Sequence, residues 1–151
     1  MEMSSYITGF VDGEGSFLVS FSKREKLSVG IEVRPSFSIS QHERNKDILF
    51  QLQKYFGCGG IRYSKRDQNY RYEVRSLKDL LEKIVPHFDV YPLQTSKQRD
   101  FEMFKNVCFL MKANEHLSFG GVSHIIEMGY QMNNLGSRRY TKEILLKSIA
   151  R

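Results

Sequence analysis

The sequence holds little cysteine, and in no pattern suited to cross-linking or metal binding. Its two cysteines, Cys58 and Cys108, lie far apart without metal-type spacing and read as ordinary thiols of a reducing compartment. The four histidines, His42, His87, His116 and His124, form no H-x₃-H pair and no Cys/His cluster, which argues against a zinc site. No segment approaches the roughly 20 consecutive apolar residues that span a bilayer, so no membrane partner is expected. The opening Met-Glu-Met-Ser-Ser carries an acid and lacks a basic start before an apolar run, so no signal peptide is expected and the protein is expected to act inside the cell, where it is made. There is also no internal repeat, no low-complexity stretch and no linker, and a single domain over residues 1–151 is expected.

What is present is charge of one predominant sign. Lys and Arg number 23 against 17 Asp and Glu, a formal net charge of +6, and the isoelectric point is near 9.3. Such a balance favours a polyanionic partner, because neutralising phosphates releases condensed counterions. The apolar share of 40% is enough for a core.

Hydrophobic periodicity orders the chain. Ser4 and Ser5 are candidate N-caps for a short helix from Tyr6 to Val11, stopped by Asp12-Gly13-Glu14-Gly15. Phe17, Val19 and Phe21 alternate with Ser16, Ser20 and Ser22, with Leu18 as an exception. After a charged turn from Lys23 to Lys26, Val29, Ile31, Val33, Phe37 and Ile39 alternate with Glu32, Arg34, Ser36, Ser38 and Ser40, which predicts a half-buried hairpin with a polar exposed face. Helical spacing runs from Asn45 to Phe56 and breaks at Gly57-Cys58-Gly59-Gly60. A second hairpin, Ile61 to Ser64 and Tyr70 to Arg75, turns through Asp67-Gln68-Asn69. Ser76 caps a helix expected to end near Pro86. A longer helix from Ser96 to Lys112 turns Phe101, Phe104, Val107, Cys108 and Met111 inward. Glycines at 120, 121 and 136 punctuate a C-terminal part with helices expected at 122–133 and 141–149. Strand pairs alternating with helices give an α+β class, one antiparallel sheet backed by helices.

The stretch Ile7-Thr8-Gly9-Phe10-Val11-Asp12-Gly13-Glu14-Gly15 carries the chemistry. Two carboxylates stand at the carboxyl end of a helix, where the macrodipole already concentrates negative charge, a placement that costs about 0.3–1 kcal/mol per acid. A divalent cation reverses that sign, and carboxylates with backbone carbonyls form the hard oxygen set Mg²⁺ prefers. Gly9 and Gly13, four apart, share one helix face and let another helix approach closely. On the residues alone, the stretch also reads as a capped core helix ending in a glycine-rich turn.

This stretch resembles the LAGLIDADG motif of homing endonucleases: aliphatic Ile7, Gly9, apolar Phe10 and Val11, Asp12, small Gly13, acidic Glu14 and Gly15. Thr8 stands for the usual alanine, and Glu14 for the usual aspartate. The order of helices and hairpins is similar to the family's αββαββα core, a four-stranded DNA-binding sheet backed by helices, over nearly the whole chain. The resemblance implies a site-specific, metal-dependent endonuclease that cuts both strands of a long, pseudo-palindromic DNA target. Cutting would leave 5′-phosphates and short 3′ overhangs and promote the mobility of an intron or host element. It implies Mg²⁺ as cofactor, with Mn²⁺ or Ca²⁺ able to substitute for binding. The metal would be held by Glu14, with the Gly13 carbonyl beside it and Asp12 ranked second. Gln41 at the end of the second strand would position water, and Lys97 would stabilise charge on the phosphate; Arg44 or Asn45 is a further candidate contact. No second copy of the motif occurs, and Gly120-Gly121 and Gly136 lack following acids. A homodimer is therefore expected, with Gly9, Phe10 and Gly13 at its interface. The compartment implied is an organelle (mitochondrion or chloroplast) or the prokaryotic cytoplasm.

The polar strand faces supply the expected DNA-reading set: Arg34, Ser36, Ser38, Ser40, Arg62, Ser64, Arg71, Glu73 and Arg75, joined by Lys23, Arg24, Lys26, Arg66, Gln68 and Asn69 from the turns. That face is rich in arginine and has one acid per hairpin, Glu32 and Glu73. Arg138 and Arg139 are expected on phosphates. Two other readings use the same scaffold: an RNA maturase assisting splicing, with RNA as partner, and a non-cleaving sequence-specific DNA-binding protein.

Overall fold

The computed structural model describes residues 2–132 and 138–149. Gly136 and residue 133, expected as punctuation and as a helix end, lie outside the described residues. The elements are α1 (Met3–Glu14), β1 (Gly15–Lys23), β2 (Ile31–His42), α2 (Lys46–Phe56), β3 (Gly60–Ser64), β4 (Asn69–Val74), α3 (Leu77–Asp79), a π turn (Leu80–Ile84), α4 (Val85–Val90), α5 (Lys97–Lys112), α6 (Phe119–Gln131) and α7 (Lys142–Ile149). The strands lie in one antiparallel sheet in the order β1-β2-β4-β3. The α+β expectation and the helix–hairpin–helix–hairpin–helix order are both met. Among the described residues, no helix is long and apolar enough to cross a membrane.

Three local expectations need correction. Helix α1 starts at Met3 rather than after Ser5; Ser4 Oγ bonds Tyr55 instead of capping, and Ser5 Oγ donates to Glu2. The helix also runs through Asp12, Gly13 and Glu14, and Gly15 ends it in extended backbone, φ −86°. Gly15 is needed for space: a Cβ there would sit 2.7 Å from Val11 Cγ1 and 3.0 Å from the Val11 carbonyl oxygen. Pro86 does not end its helix either. The π turn directly before it widens the backbone, and the proline enters the first turn of α4, where its missing N–H is tolerated. Ser76 caps as expected, accepting the Asp79 N–H at 3.3 Å.

The chain divides into two compact units, Met1–Phe17 with Ser36–Gln98 and Leu18–Pro35 with Arg99–Arg151. The first is built around stacked and edge-on aromatics. Phe37 lies 5.1 Å from Phe17, 5.7 Å from Phe88 and 6.0 Å from Phe56 between ring centres. Ile7, Val11, Leu49, Leu52, Leu80 and Ile84 are buried in the same unit. Tyr72 is fully buried, and its hydroxyl is satisfied by the Cys58 carbonyl at 2.8 Å. In the second unit the inward stripe Phe101, Phe104, Val107, Cys108 and Met111 is buried as expected, together with Val122, Ile125, Ile126, Leu145 and Ile149.

Candidate functional site

The carboxyl end of α1 gathers the titratable groups of the motif. Asp12 turns to the segment before α5: its carboxylate accepts from Gln94 N at 2.6 Å, Thr95 N at 3.2 Å and Thr95 Oγ1 at 2.5 Å. Partial burial raises the Asp12 carboxyl. The Thr95 hydroxyl, the two backbone N–H donors and the charge of Lys97 outweigh it and hold the group below its ordinary value. Lys97, at the first position of α5, extends its ammonium to the Val11 carbonyl at 3.0 Å. That carbonyl also accepts the Gly15 N–H. A cation is thereby fixed at the negative end of the helix dipole.

Glu14 has no such compensation. It is exposed and makes no hydrogen bond or ion pair among the described residues. The last carbonyls of α1, Gly13 among them, lack intrahelical partners. An unpaired carboxylate beside helix-end carbonyls, one turn from a fixed ammonium, is a hard-oxygen donor set. Among the described residues no three His, Cys, Asp or Glu side chains come together as a metal cluster. One copy of the chain therefore offers a single free motif carboxylate, since that of Asp12 is held by Thr95 and Gln94. Gln41 is half-buried and pairs with Tyr70 across β2 and β4.

The two faces of α1 differ sharply. Inward, Ile7, Thr8 and Val11 are buried. Outward, Gly9 and Gly13 are exposed, and a Cβ on either would meet nothing within 4 Å. Tyr6 and Phe10 lie on the same stripe with rings stacked at 6.3 Å, and Tyr6 remains 39% exposed. This stripe is apolar, with Phe10 half-buried and Tyr6, Gly9 and Gly13 left exposed among the described residues.

Behind it runs a polar chain that the sequence did not signal. Thr8 Oγ1 donates to the Tyr91 carbonyl at 2.9 Å, so toward His87 Nε2, at 3.0 Å, it can only accept. The His87 proton therefore sits on Nε2, Nδ1 accepts from the Tyr55 hydroxyl at 3.1 Å, and Tyr55 accepts from Ser4 Oγ at 2.8 Å. This one-way relay braces α1 at two points one turn apart. Burial pushes the His87 imidazole down to about 4. Partners 79 and 83 residues apart leave no trace in local periodicity.

In the first unit, the register sets Arg71 opposite both Ser40 and Arg62, Glu73 opposite Ser38, and Asn69 opposite Ser64. Ser40, Arg62, Arg66, Gln68, Arg71 and Arg75 are exposed, while Ser64, Asn69 and Glu73 are half-buried. Ser36 and Ser38 are buried at 7% and 6%, contrary to the expectation of an open face. Arg71 lies over Ser38, donating to its hydroxyl at 3.2 Å. In the second unit, Lys23, Arg24, Lys26 and Arg34 are exposed. Arg34 and Arg24 donate to Glu32 at 2.8 and 2.7 Å and hold its carboxyl at about 2. Arg138 points inward: its guanidinium donates to the Val19 and Gly129 carbonyls, each at 2.8 Å, and lies 4.5 Å from the Tyr130 ring centre. Arg139 is exposed, 5.3 Å from the Tyr140 ring centre.

Residues 7–108 match the family described as LAGLIDADG endonuclease. The chain is 42% identical over 115 residues to an uncharacterised 50.9 kDa protein in ND4 intron 1 of Podospora anserina, covering 75% of this chain and 25% of that protein. It spans about a quarter of the length of the first curated relatives it matches. The crystal structure of a homing endonuclease, I-TnaI, superposes with a TM-score of 0.86 at 35% identity, covering 97% of this chain and 95% of that one. The archaeal intron-encoded homing endonuclease I-Vdi141I complexed with DNA gives a TM-score of 0.89 at 28% identity, covering 97% and 93%.

Proposed function

The chain belongs to the LAGLIDADG endonuclease family, and from that membership we propose that residues 1–151 act as one site-specific endonuclease domain that cuts both strands of a long, pseudo-palindromic DNA target. The observation that carries this reading is Glu14, an exposed and unpaired carboxylate at the negative end of a helix, beside the Lys97 ammonium fixed on Val11. As part of a fold alone, that acid destabilises the helix end. As a ligand to a divalent cation, it becomes favourable.

Glu14 and the Gly13 carbonyl are the groups that would hold Mg²⁺, and their hard oxygens suit it; Mn²⁺ or Ca²⁺ would serve for binding. Asp12, committed to Thr95 and Gln94, fixes the helix end instead. A divalent cation held there would supply a water of lowered pKa and charge neutralisation at the phosphate. Hydrolysis joins the water oxygen to phosphorus and breaks the bond to O3′, leaving a 5′-phosphate and a 3′-hydroxyl. Gln41 orients water at the end of β2, and Lys97 faces the charge that builds on the phosphate.

One chain supplies one motif carboxylate, so two copies are needed for two strands. The apolar stripe Tyr6, Gly9, Phe10 and Gly13 supports pairing through α1, about a two-fold axis that matches a palindromic site. The arginines of the strand faces are suited to guanine edges, Asn69 and Gln68 to adenine, and Arg139 to phosphate. The relative encoded in an ND4 intron supports action in an organelle, and the archaeal intron-encoded structural match equally supports a prokaryotic cytoplasm. The test is cleavage of the intron-less allele of the locus flanking this gene: cutting with Mg²⁺ and none with EDTA is expected, and an uncut duplex under both conditions overturns the reading.

A further inference from the structure

The strands of each hairpin carry one acid, Glu32 in β2 and Glu73 in β4, while Glu25 and Asp67 lie in the turns; each strand acid is shared among arginines. On the first hairpin Glu32 Oε2 meets Arg24 at 2.7 Å and Oε1 meets Arg34 at 2.8 Å. On the second, Glu73 meets Arg71 at 3.2 Å, Arg62 at 3.7 Å and Arg75 at 4.0 Å. In both groups the acid is the most recessed member. The Glu32 side chain is 24% exposed against 52% and 48% for its arginines. Glu73 is 20% exposed against 80%, 49% and 54%. The guanidiniums stand outward over a sunken carboxylate.

Stability does not explain this arrangement, because exposed ion pairs contribute little to folding. Each guanidinium has five N–H donors in a rigid fork, and the recessed acid occupies only part of it. The outer donors stay available in a fixed direction, so less freedom is lost when a base edge is met. Each acid also cancels one positive charge at the surface, which weakens attraction to phosphates of any sequence.

We propose that Glu32 and Glu73 are positioning residues for sequence readout: each holds its arginines in reading geometry and suppresses binding to non-target DNA. This rests on the DNA-binding reading above. Discrimination comes from the difference between target and non-target affinity, and a recessed acid beneath exposed forks works on both terms.

Binding of Glu32→Gln and, separately, Glu73→Gln is measured on the intron-less junction duplex and on a random-sequence duplex of equal length, across a salt series in Ca²⁺. Each variant is expected to bind random duplex about three- to tenfold more tightly, with the slope of log K against log salt steeper by about one. The ratio of target to random affinity is expected to fall about tenfold. Glu32→Gln/Arg34→Gln, which restores the net charge, is expected to recover the wild-type slope without recovering the ratio. Wild-type protein that binds DNA while both single variants keep its slope and ratio overturns this inference alone. Variants that bind both duplexes more weakly, with lowered melting temperatures, overturn it as a merely structural role. Wild-type protein that binds neither duplex overturns the DNA reading and this inference with it.

Discussion

Lys97 holds its ammonium 3.0 Å from the carbonyl oxygen of Val11, across 86 positions of sequence. That contact ties the start of α5 to the end of the motif helix and sets a fixed cation one turn before Glu14. The carboxylate itself stays exposed. On the proposed reading the two residues divide their work, and their substitutions are expected to differ.

Glu14→Gln is expected to abolish cleavage while duplex binding stays within about threefold, since the contact it removes acts in the reaction rather than in readout. Lys97→Met is expected to slow cleavage about 100- to 1,000-fold, as loss of a fixed transition-state charge does. Single-turnover cleavage paired with binding isotherms checks both. Wild-type cleavage by Glu14→Gln removes Glu14 from the chemistry.

The motif glycines separate into two kinds. Gly9→Ala and Gly13→Ala meet no atom within 4 Å, and each is expected to stabilise α1 by about 0.5–1 kcal/mol. The bulkier Gly9→Leu and Gly13→Leu are expected to give folded chains that no longer self-associate. Gly15→Ala is different: its methyl would sit 2.7 Å from Val11 Cγ1, and a loss of about 1–3 kcal/mol is expected. Melting curves with sedimentation separate the three. Dimers of unchanged strength from Gly13→Leu would rule out pairing through this face.

The His87 relay makes stability depend on pH. The folded imidazole titrates at about 4, against about 6.5 when unfolded. Between those values the unfolded chain binds the extra proton, so stability is full above the unfolded value and declines as pH falls toward the folded one. The loss by pH 4 is about 3 kcal/mol. His87→Gln is expected to flatten that part of the profile. Thr8→Ala leaves the Nε2–H without its acceptor and is expected to cost about 1–2 kcal/mol at neutral pH. Denaturant unfolding from pH 7 to 4 measures both, and parallel profiles for wild type and His87→Gln would contradict the relay.

Arg138 and Arg139 look equivalent in sequence and are not. Arg138→Ala strips the Val19 and Gly129 carbonyls of a charged donor, and a loss of about 2 kcal/mol is expected. Arg139→Ala is expected to leave the melting temperature unchanged and to weaken duplex binding about equally across sequences. An Arg138→Ala protein that melts like wild type would contradict the inward assignment.

What was legible in the sequence follows from range. Phe17, Val19 and Phe21, or Leu49, Leu52 and Phe56, announce strand and helix because period and burial are local properties. The carboxylates of the motif were legible through the resemblance of Ile7 to Gly15 to the LAGLIDADG motif, since on the residues alone the stretch also reads as a capped core helix. Pro86 misled because a π turn has no periodic mark, so the proline reads as a stop. Ser36 and Ser38 misled because alternation gives the side of the sheet and not what lies over it. The partners of Asp12, Thr8 and Arg138 were illegible, since each bond joins segments that meet only after folding.

On the proposed reading two copies, joined through α1, are needed to supply one carboxylate for each strand. Sedimentation of Glu14→Gln with the intron-less junction duplex in Mg²⁺ tests it most directly. The expected species carries two chains of 17.7 kDa on one duplex. A stable complex of a single chain on that duplex would contradict it.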